Sequence, residues 1–406
     1  MSEPKITVII PTRERCETLE KSLLTVTSQS YDNLHIIVSD NFSRDRTEDV
    51  VRSVKDARLR YLNTGERISM SRNWEFALSH VESGWVTIIG DDDGLLPQSV
   101  AKVAKLIQAN DASAVRSSVC AYVWPSLTGN EYGRLAVPLQ SGYEVRDSRE
   151  WLQKVLSGRV GYPQLPMLYN GGYVNVSVLS EIKRRTGRIY NSCVPDVYSA
   201  ISIASTVGKY IYCREPLAIN GASRHSTGTS YFSSGKDETI SPVQMFSKEG
   251  NIPFHEDIPL CLDGSYPPSM HALVYESYLQ SSDLRVESKE ELPARMLTII
   301  LATAGRHQLP VQEWARIFAQ KHRLDFDSIR SKAKVAAIKL VINSVSSQAV
   351  ALLNTFSVGS FEFPIPDVYE ASIAAGAIRA IGVGRSKNIL RLLRRMRRTV
   401  STRNGK

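Results

Sequence analysis

Two hydrophobic periodicities alternate over the first 120 residues. Short β-branched runs, ITVIIP (6–11), LHIIVSD (34–40) and WVTIIG (85–90), read as strands, because runs of this length bounded by Pro, Asp or Gly are too short for ordinary helices. Between them ETLEKSLLTVTSQ places Leu19, Leu23 and Val26 at helical spacing, and RTEDVVRSVKD, RLRYLN and SRNWEFALSHV continue the alternation. Repeated β-α units predict an α/β fold with a mostly parallel, Rossmann-like sheet whose ligands sit at the carboxyl ends of the strands. VAKVAKLIQ is a further helix and GKYIYCREPLAIN (208–220) a further strand. Beyond residue 230 the pattern becomes helical: HALVYESYLQ, SKEELPARMLTIILATAG, VQEWARIFAQKH and SIRSKAKVAAIKLVINSV. Three segments are expected, an α/β domain (1–230), a mainly helical region (231–384) and a tail (385–406).

Composition changes this picture only at the end of the chain. A content of 42% hydrophobic and 22% charged residues is that of a globular protein, and no stretch of about 18 uncharged apolar residues could span a bilayer. MSEPKITVIIP runs straight into a strand and is not a signal peptide, so a cytoplasmic location is expected. The five cysteines are scattered and lack C-x-x-C spacing, which suggests neither a disulfide frame nor a zinc site. Residues 385–406 hold nine Lys and Arg and no acid, which equals the whole net charge of +9 and leaves the body neutral. The basic character therefore gives no reason to expect a specific nucleic-acid partner. Within the tail, NILRLLRRMRR puts Ile389, Leu392, Leu393 and Met396 on one helical face among arginines, the pattern of a segment drawn to an anionic membrane surface. A basic end that binds anything acidic is the competing reading.

The chemistry gathers at the strand ends. The first strand ends in Pro11-Thr12-Arg13-Glu14-Arg15, the second in Ser39-Asp40-Asn41, and the run 85–90 in Asp91-Asp92-Asp93-Gly94. Adjacent carboxylates next to a core repel one another unless something positive lies between them. A divalent cation shared with a diphosphate answers that need, since Mg²⁺ or Mn²⁺ takes one or two carboxylates and completes its shell from phosphates. An acidic surface turn before the helix at 99 is the bland alternative.

With these motifs in register, residues 5–225 resemble the donor-binding half of family 2 glycosyltransferases of the bacterial surface-polysaccharide type, which have the GT-A fold. The resemblance implies an inverting, metal-dependent transfer from a nucleotide-sugar donor to a polysaccharide or lipid-linked saccharide acceptor, using Mn²⁺ or Mg²⁺. It places Pro11, Thr12 and Arg13 at the nucleotide, Asp40 at the nucleoside, and Arg72 beside the phosphates at a helix start. It makes Asp93 the metal ligand and Asp91 or Asp92 a ribose or outer contact. Asp40 stands in Ser39-Asp40-Asn41, where the family more often has two adjacent aspartates.

The resemblance also supplies a base. Asp196 in NSCVPDVYSAISIAST follows Pro195 and opens an apolar helical run, where a helix cap is the plain reading and the family's general base the other; Pro195 occupies the place of the family's usual Glu. His225 follows the next strand, where some members complete the metal or diphosphate site, although a lone His is more often structural. Arg72 likewise stands between phosphate contact and solvated first-turn residue, while Trp74, Phe76 and Leu78 read as core. YVWPSLTGNEYGRL and VGYPQLPMLYNGGYVNVS offer aromatic faces for an acceptor or for ordinary turns. A nucleotidyl- or phosphotransferase of similar fold, and a non-catalytic nucleotide-sugar-binding module, are the alternatives.

Overall fold

The computed structural model of the chain describes residues 3–224, 226, 249–285 and 292–381. The first half runs β1 (Ile6–Thr12), α1 (Cys16–Thr27), β2 (Leu34–Asp40), α2 (Thr47–Ser53), β3 (Leu59–Asn63), α3 (Met70–Leu78) and β4 (Trp85–Ile88). β3, β2, β1 and β4 pair in that order, all parallel. Every residue of β1 is buried, as expected of a parallel strand covered on both faces. On one face Leu19, Leu23 and Val26 of α1 pack onto Ile6, Val8 and Ile10; on the other Trp74, Ala77 and Leu78 of α3 pack around Ile9, Val86 and Ile88.

The sheet continues with mixed polarity. After the short β5 (Gly94–Leu95) and α4 (Ser99–Ala109) come β6 (Ala114–Val123), α5 (Pro125–Thr128), β7 (Arg134–Pro138), β8 (Tyr143–Asp147), α6 (Ser148–Leu156), β9 (Gly172–Asn175), α7 (Val176–Thr186), α8 (Pro195–Thr206) and β10 (Lys209–Ala222). β9 joins β4 to β6 antiparallel to both, and β10 lies parallel to β6. The parallel arrangement expected from the β-α repeats thus holds for the N-terminal half, whereas β5, β7, β8 and β9 make antiparallel pairings.

A helical layer follows: α9 (Met270–Gln280), α10 (Leu292–Ala302), α11 (Gln308–Lys321) and α12 (Phe326–Leu353). It rests on α8, which is apolar almost all round and so is buried on two sides. Tyr198 and Ile203 of α8 face the sheet, while Val197, Ala200, Ile201 and Ala204 face Ala272, Tyr275, Leu297 and Trp314. The chain then returns to the sheet. β11 (Thr355–Val358) pairs with β7, and α13 (Val368–Ala380) packs on Tyr122, Leu135 and Leu96, with Ser372 Oγ donating to the Leu95 carbonyl at 2.7 Å. Among the described residues no helix is long and apolar enough to cross a membrane.

Candidate active site

The parallel register places Thr12 directly opposite Asp40 at the carboxyl edge of the sheet, and the turn after β4 brings Asp91–Asp93 beside them. Asp40 is buried and its carboxylate accepts from Tyr61 Oη at 2.6 Å, Asn63 Nδ2 at 3.1 Å and the Ser43 amide at 2.9 Å. These donors hold it at the end of β2, where its chain neighbours are the uncharged Ser39 and Asn41.

Each aspartate of the triplet has a different set of partners. Asp91 accepts from Thr12 Oγ1 at 2.8 Å and from Arg15 Nη1 at 2.9 Å. Burial works against the charge on Arg15, yet Asp91 and Asp92 outweigh it and keep the guanidinium firmly protonated. Arg15 is thus a positive group within the triplet. Asp92 Oδ2 accepts from Ser223 Oγ at 2.6 Å and from the Ser226 hydroxyl, while its carbonyl accepts from the Trp124 indole at 2.9 Å. Asp93 is fully buried: its Oδ2 accepts from the Gly90 amide and from Tyr169 Oη, and its Oδ1 from the Gly221 amide, all at 2.7 Å. Burial, followed by repulsion from Asp92, pushes the Asp93 carboxyl up to about 7. Gly221 is required here, because a Cβ on it would lie 1.8 Å from the Asp92 carbonyl oxygen.

This donor set suits a hard divalent cation. A Cβ built on Gly90 would lie 2.8 Å from Asp93 Oδ2 and 3.2 Å from Asp92 Oδ1, so the two carboxylates converge on one small space. Among the described residues Asp92 Oδ1 accepts no hydrogen bond, and Asp93 Oδ1 accepts one. No group of three or more His, Cys, Asp or Glu among the described residues is arranged as a complete metal site. One or two carboxylates are what Mg²⁺ and Mn²⁺ sites use when substrate phosphates provide further ligands.

Asp196 lies in the first turn of α8, but the cap position belongs to Val194, so the carboxylate is not serving as the cap. It accepts instead from Tyr162 Oη at 2.8 Å, and burial raises its pKa. The Leu168 amide donates to Ser199 Oγ of α8 at 3.1 Å, so the segment that gives Tyr162 to Asp196 and Tyr169 to Asp93 is tied to the first turns of α8. Two supports hold that segment. Trp74 stacks on the Tyr169 ring at 5.4 Å, and the buried Arg116 donates to the carbonyls of Pro163 at 2.7 Å and Asn170 at 2.6 Å, pinning the segment that carries both tyrosines. The loop before Asp196 is tied on two sides: the Ser192 carbonyl accepts from Ser71 Oγ of α3 at 2.8 Å, and Ser192 Oγ donates to Glu276 of α9 at 2.6 Å.

Of the other expected residues, Pro11 is buried at the end of β1, and Arg13 is ion-paired with Glu249, which also meets Arg67 at 3.4 Å. Arg72 is exposed in the first turn of α3 and has no partner among the described residues. Trp74 and Leu78 are core, as expected, and Phe76 is half-buried. His225 and the tail lie outside the described residues. Sequence reasoning missed Tyr162, Tyr169, Arg116, Ser223, Ser192 and Glu276. The nearest signal was the tyrosine-rich YPQLPMLYN, whose loop residues follow no period.

Residues 7–156 match the model of glycosyl transferase family 2. The match spans 150 of the 406 residues, and over that stretch the chain is similar to glycosyl transferase family 2. Two curated proteins align with part of the chain. A GalNAc(5)-diNAcBac-PP-undecaprenol beta-1,3-glucosyltransferase of Campylobacter jejuni is 34% identical over 114 residues, 27% of this chain and 36% of the relative. A validoxylamine A glucosyltransferase of Streptomyces hygroscopicus is 37% identical over 76 residues, 17% of this chain and 18% of the relative. The alignments therefore span about a third or less of the curated relatives' length. Among solved structures, S. aureus TarS 1–349 in complex with UDP-GlcNAc superposes with a TM-score of 0.50 at 12% identity, covering 85% of this chain and 92% of that one. That likeness is one of fold, a GT-A-like α/β sheet followed by helices.

Proposed function

We propose that the chain is an inverting glycosyltransferase that moves a sugar from a nucleotide-sugar donor to a saccharide or lipid-linked acceptor, with Mn²⁺ or Mg²⁺ at the aspartate turn. The observation that carries this reading is that one segment, 162–169, bonds to both candidate groups: Tyr162 donates to Asp196 and Tyr169 to Asp93, which supports a base near the aspartate turn. The Campylobacter relative's name, a glucosyltransferase of a diphosphoundecaprenol-linked saccharide, supports the acceptor class. The UDP-GlcNAc bound to the TarS fold supports the donor class.

In this mechanism Pro11, Thr12, Arg13 and Asp40 receive the nucleoside side of the donor. Arg72 and the amino end of α3 receive its phosphates, where a guanidinium and the helix dipole act together. Asp93, with Asp92 beside it, would hold the cation, and His225 would be the further ligand that the resemblance implies, while Asp91 is bonded to Thr12 and Arg15. When bound, the cation supplies charge neutralisation to the departing diphosphate. Asp196 takes the proton of the acceptor hydroxyl as that oxygen bonds to the anomeric carbon. The bond to the diphosphate breaks on the opposite face, configuration inverts, and the proton stays on Asp196. Burial makes the Asp196 carboxylate a stronger base than one in water.

Residues 1–230 form the catalytic domain in this reading, 231–384 a mainly helical companion whose β11 and α13 return to the sheet, and the basic tail 385–406 draws the enzyme to the inner face of an anionic membrane. The test is a screen of nucleotide sugars with Mn²⁺, following both free nucleoside diphosphate and the anomeric configuration of the product. Release of nucleoside diphosphate with an inverted linkage is expected. Nucleoside monophosphate or pyrophosphate as product would instead mark phosphoryl chemistry, and saturable donor binding without turnover would mark a binding module.

A further inference from the structure

α12 carries a second surface feature that the proposed reaction does not use. Its inner face, with Ile329 and Ala333, packs into the helical core. Its outer face presents Val335, Ile338, Val341 and Ile342 at 56%, 62%, 59% and 67% exposure. Val335, Ile338 and Ile342 stand at i, i+3 and i+7, so they form one stripe along the helix. Lys334 borders that stripe on one side, and Lys332 and Lys339 border it on the other. All three lysines are exposed and make no ion pair among the described residues, and 328–353 contain no Asp or Glu. Arg330, nearer the helix start, is already paired with Asp327.

We infer that this face of α12 lies on an anionic lipid surface, with the helix parallel to the membrane plane. An apolar stripe between two rows of lysine is the pattern of an interfacial helix: the aliphatic groups enter the boundary of headgroups and acyl chains while the ammonium groups meet lipid phosphates. Charge complementarity decides against the other occupants. A second copy would set unpaired lysines against lysines, and the four side chains offer roughly 400 Å² where a stable interface needs about 800 Å² per partner. The chain's own tail is equally basic, with nine Lys and Arg and no acid. The inference does not rest on the proposed reaction, and it adds a membrane contact separate from the tail.

The test is flotation of the full chain with vesicles of phosphatidylcholine containing phosphatidylglycerol, at low salt. Val335→Gln, Ile338→Gln and Ile342→Gln combined should weaken binding about tenfold or more, because they remove the inserting groups. Lys332→Gln, Lys334→Gln and Lys339→Gln combined should weaken binding to the anionic vesicles and leave any attachment to pure phosphatidylcholine unchanged. Since all six side chains are exposed, both variants should keep the parent's circular dichroism and melting temperature. Equal vesicle binding by parent and both variants would overturn the inference and assign any attraction to the tail. A dimer seen by light scattering that the apolar variant converts to monomer would overturn it in favour of a second copy.

Discussion

Tyr169 donates its hydroxyl to Asp93 at 2.7 Å while Trp74 holds its ring in a stack, so a loop tyrosine fixes the most deeply buried carboxylate of the turn. Tyr169→Phe keeps the ring and removes the proton donor. Loss of one hydrogen bond to a charged group should cost about 1.5–3 kcal/mol when Asp93 is ionised. That bond favours the carboxylate, so its removal raises the Asp93 pKa above its value of about 7. The acidic limb of the kcat/KM profile should therefore move to higher pH. An unmoved limb would separate Asp93 ionisation from catalysis.

Asp92 and Asp93 should be separable from the rest of the site by their metal response. Asp92→Asn leaves the shape of the turn and removes the charge nearest Asp93, so it should weaken Mn²⁺-dependent binding of a nucleoside diphosphate while metal-free binding stays within a few-fold. Asp93→Ala should abolish the Mn²⁺ enhancement and transfer together. Isothermal titration with and without Mn²⁺ measures both, and equal enhancement in variant and parent would remove the two residues from the metal site.

Asp196 should act on chemistry and leave donor binding alone. Asp196→Asn is expected to lower kcat by about two or more decades while donor affinity stays within a few-fold. Tyr162→Phe should have a smaller effect of the same kind, because it removes the 2.8 Å hydrogen bond that favours the charged base. Single-turnover rates with saturating donor read this directly. Unchanged turnover in Asp196→Asn would make it a residue of the helix start and nothing more.

Glu276 is a buried carboxyl raised to about 7 by burial, despite hydrogen bonds from Ser192 and Gln280. A raised acid is protonated in the folded chain where the unfolded chain has already ionised. The native state therefore binds more protons between the ordinary carboxylate range and about pH 7, and stability falls as pH rises through that window. The contribution is at most roughly 3 kcal/mol. Glu276→Gln removes this titration, so its melting temperature should fall less than the parent's between pH 5 and pH 7. Parallel melting curves against pH would show that Glu276 does not titrate there.

The basic tail should govern membrane attraction without touching the donor site. Deleting 385–406 should leave donor hydrolysis unchanged and lower both vesicle binding and transfer to a lipid-linked acceptor, with roughly 1 kcal/mol lost per basic residue that had met the surface. Unchanged vesicle binding after deletion would end that role for the tail.

Several of these positions were legible in the residue pattern alone. LHIIVSD became β2 from Leu34 to Asp40, and the apolar stripe Leu19, Leu23 and Val26 became the buried face of α1. Strand and helix periods are local, and a strand buried on both faces reads as an uninterrupted apolar run, so the sequence by itself determined where Thr12, Asp40 and Asp91–Asp93 meet at the sheet edge. It also determined the helix that begins at Pro195 and carries Asp196. Tertiary structure alone decided the partners. Arg15 pairs with Asp91 while Arg13 turns to Glu249, a distinction of two positions in one loop. Tyr162 and Tyr169 reach Asp196 and Asp93 from an aperiodic segment pinned by Arg116. Ser192 meets Glu276 across 84 positions, and β11 pairs with β7 far upstream. Such contacts depend on how loops close and layers stack, and neither hydrophobic period carries that information.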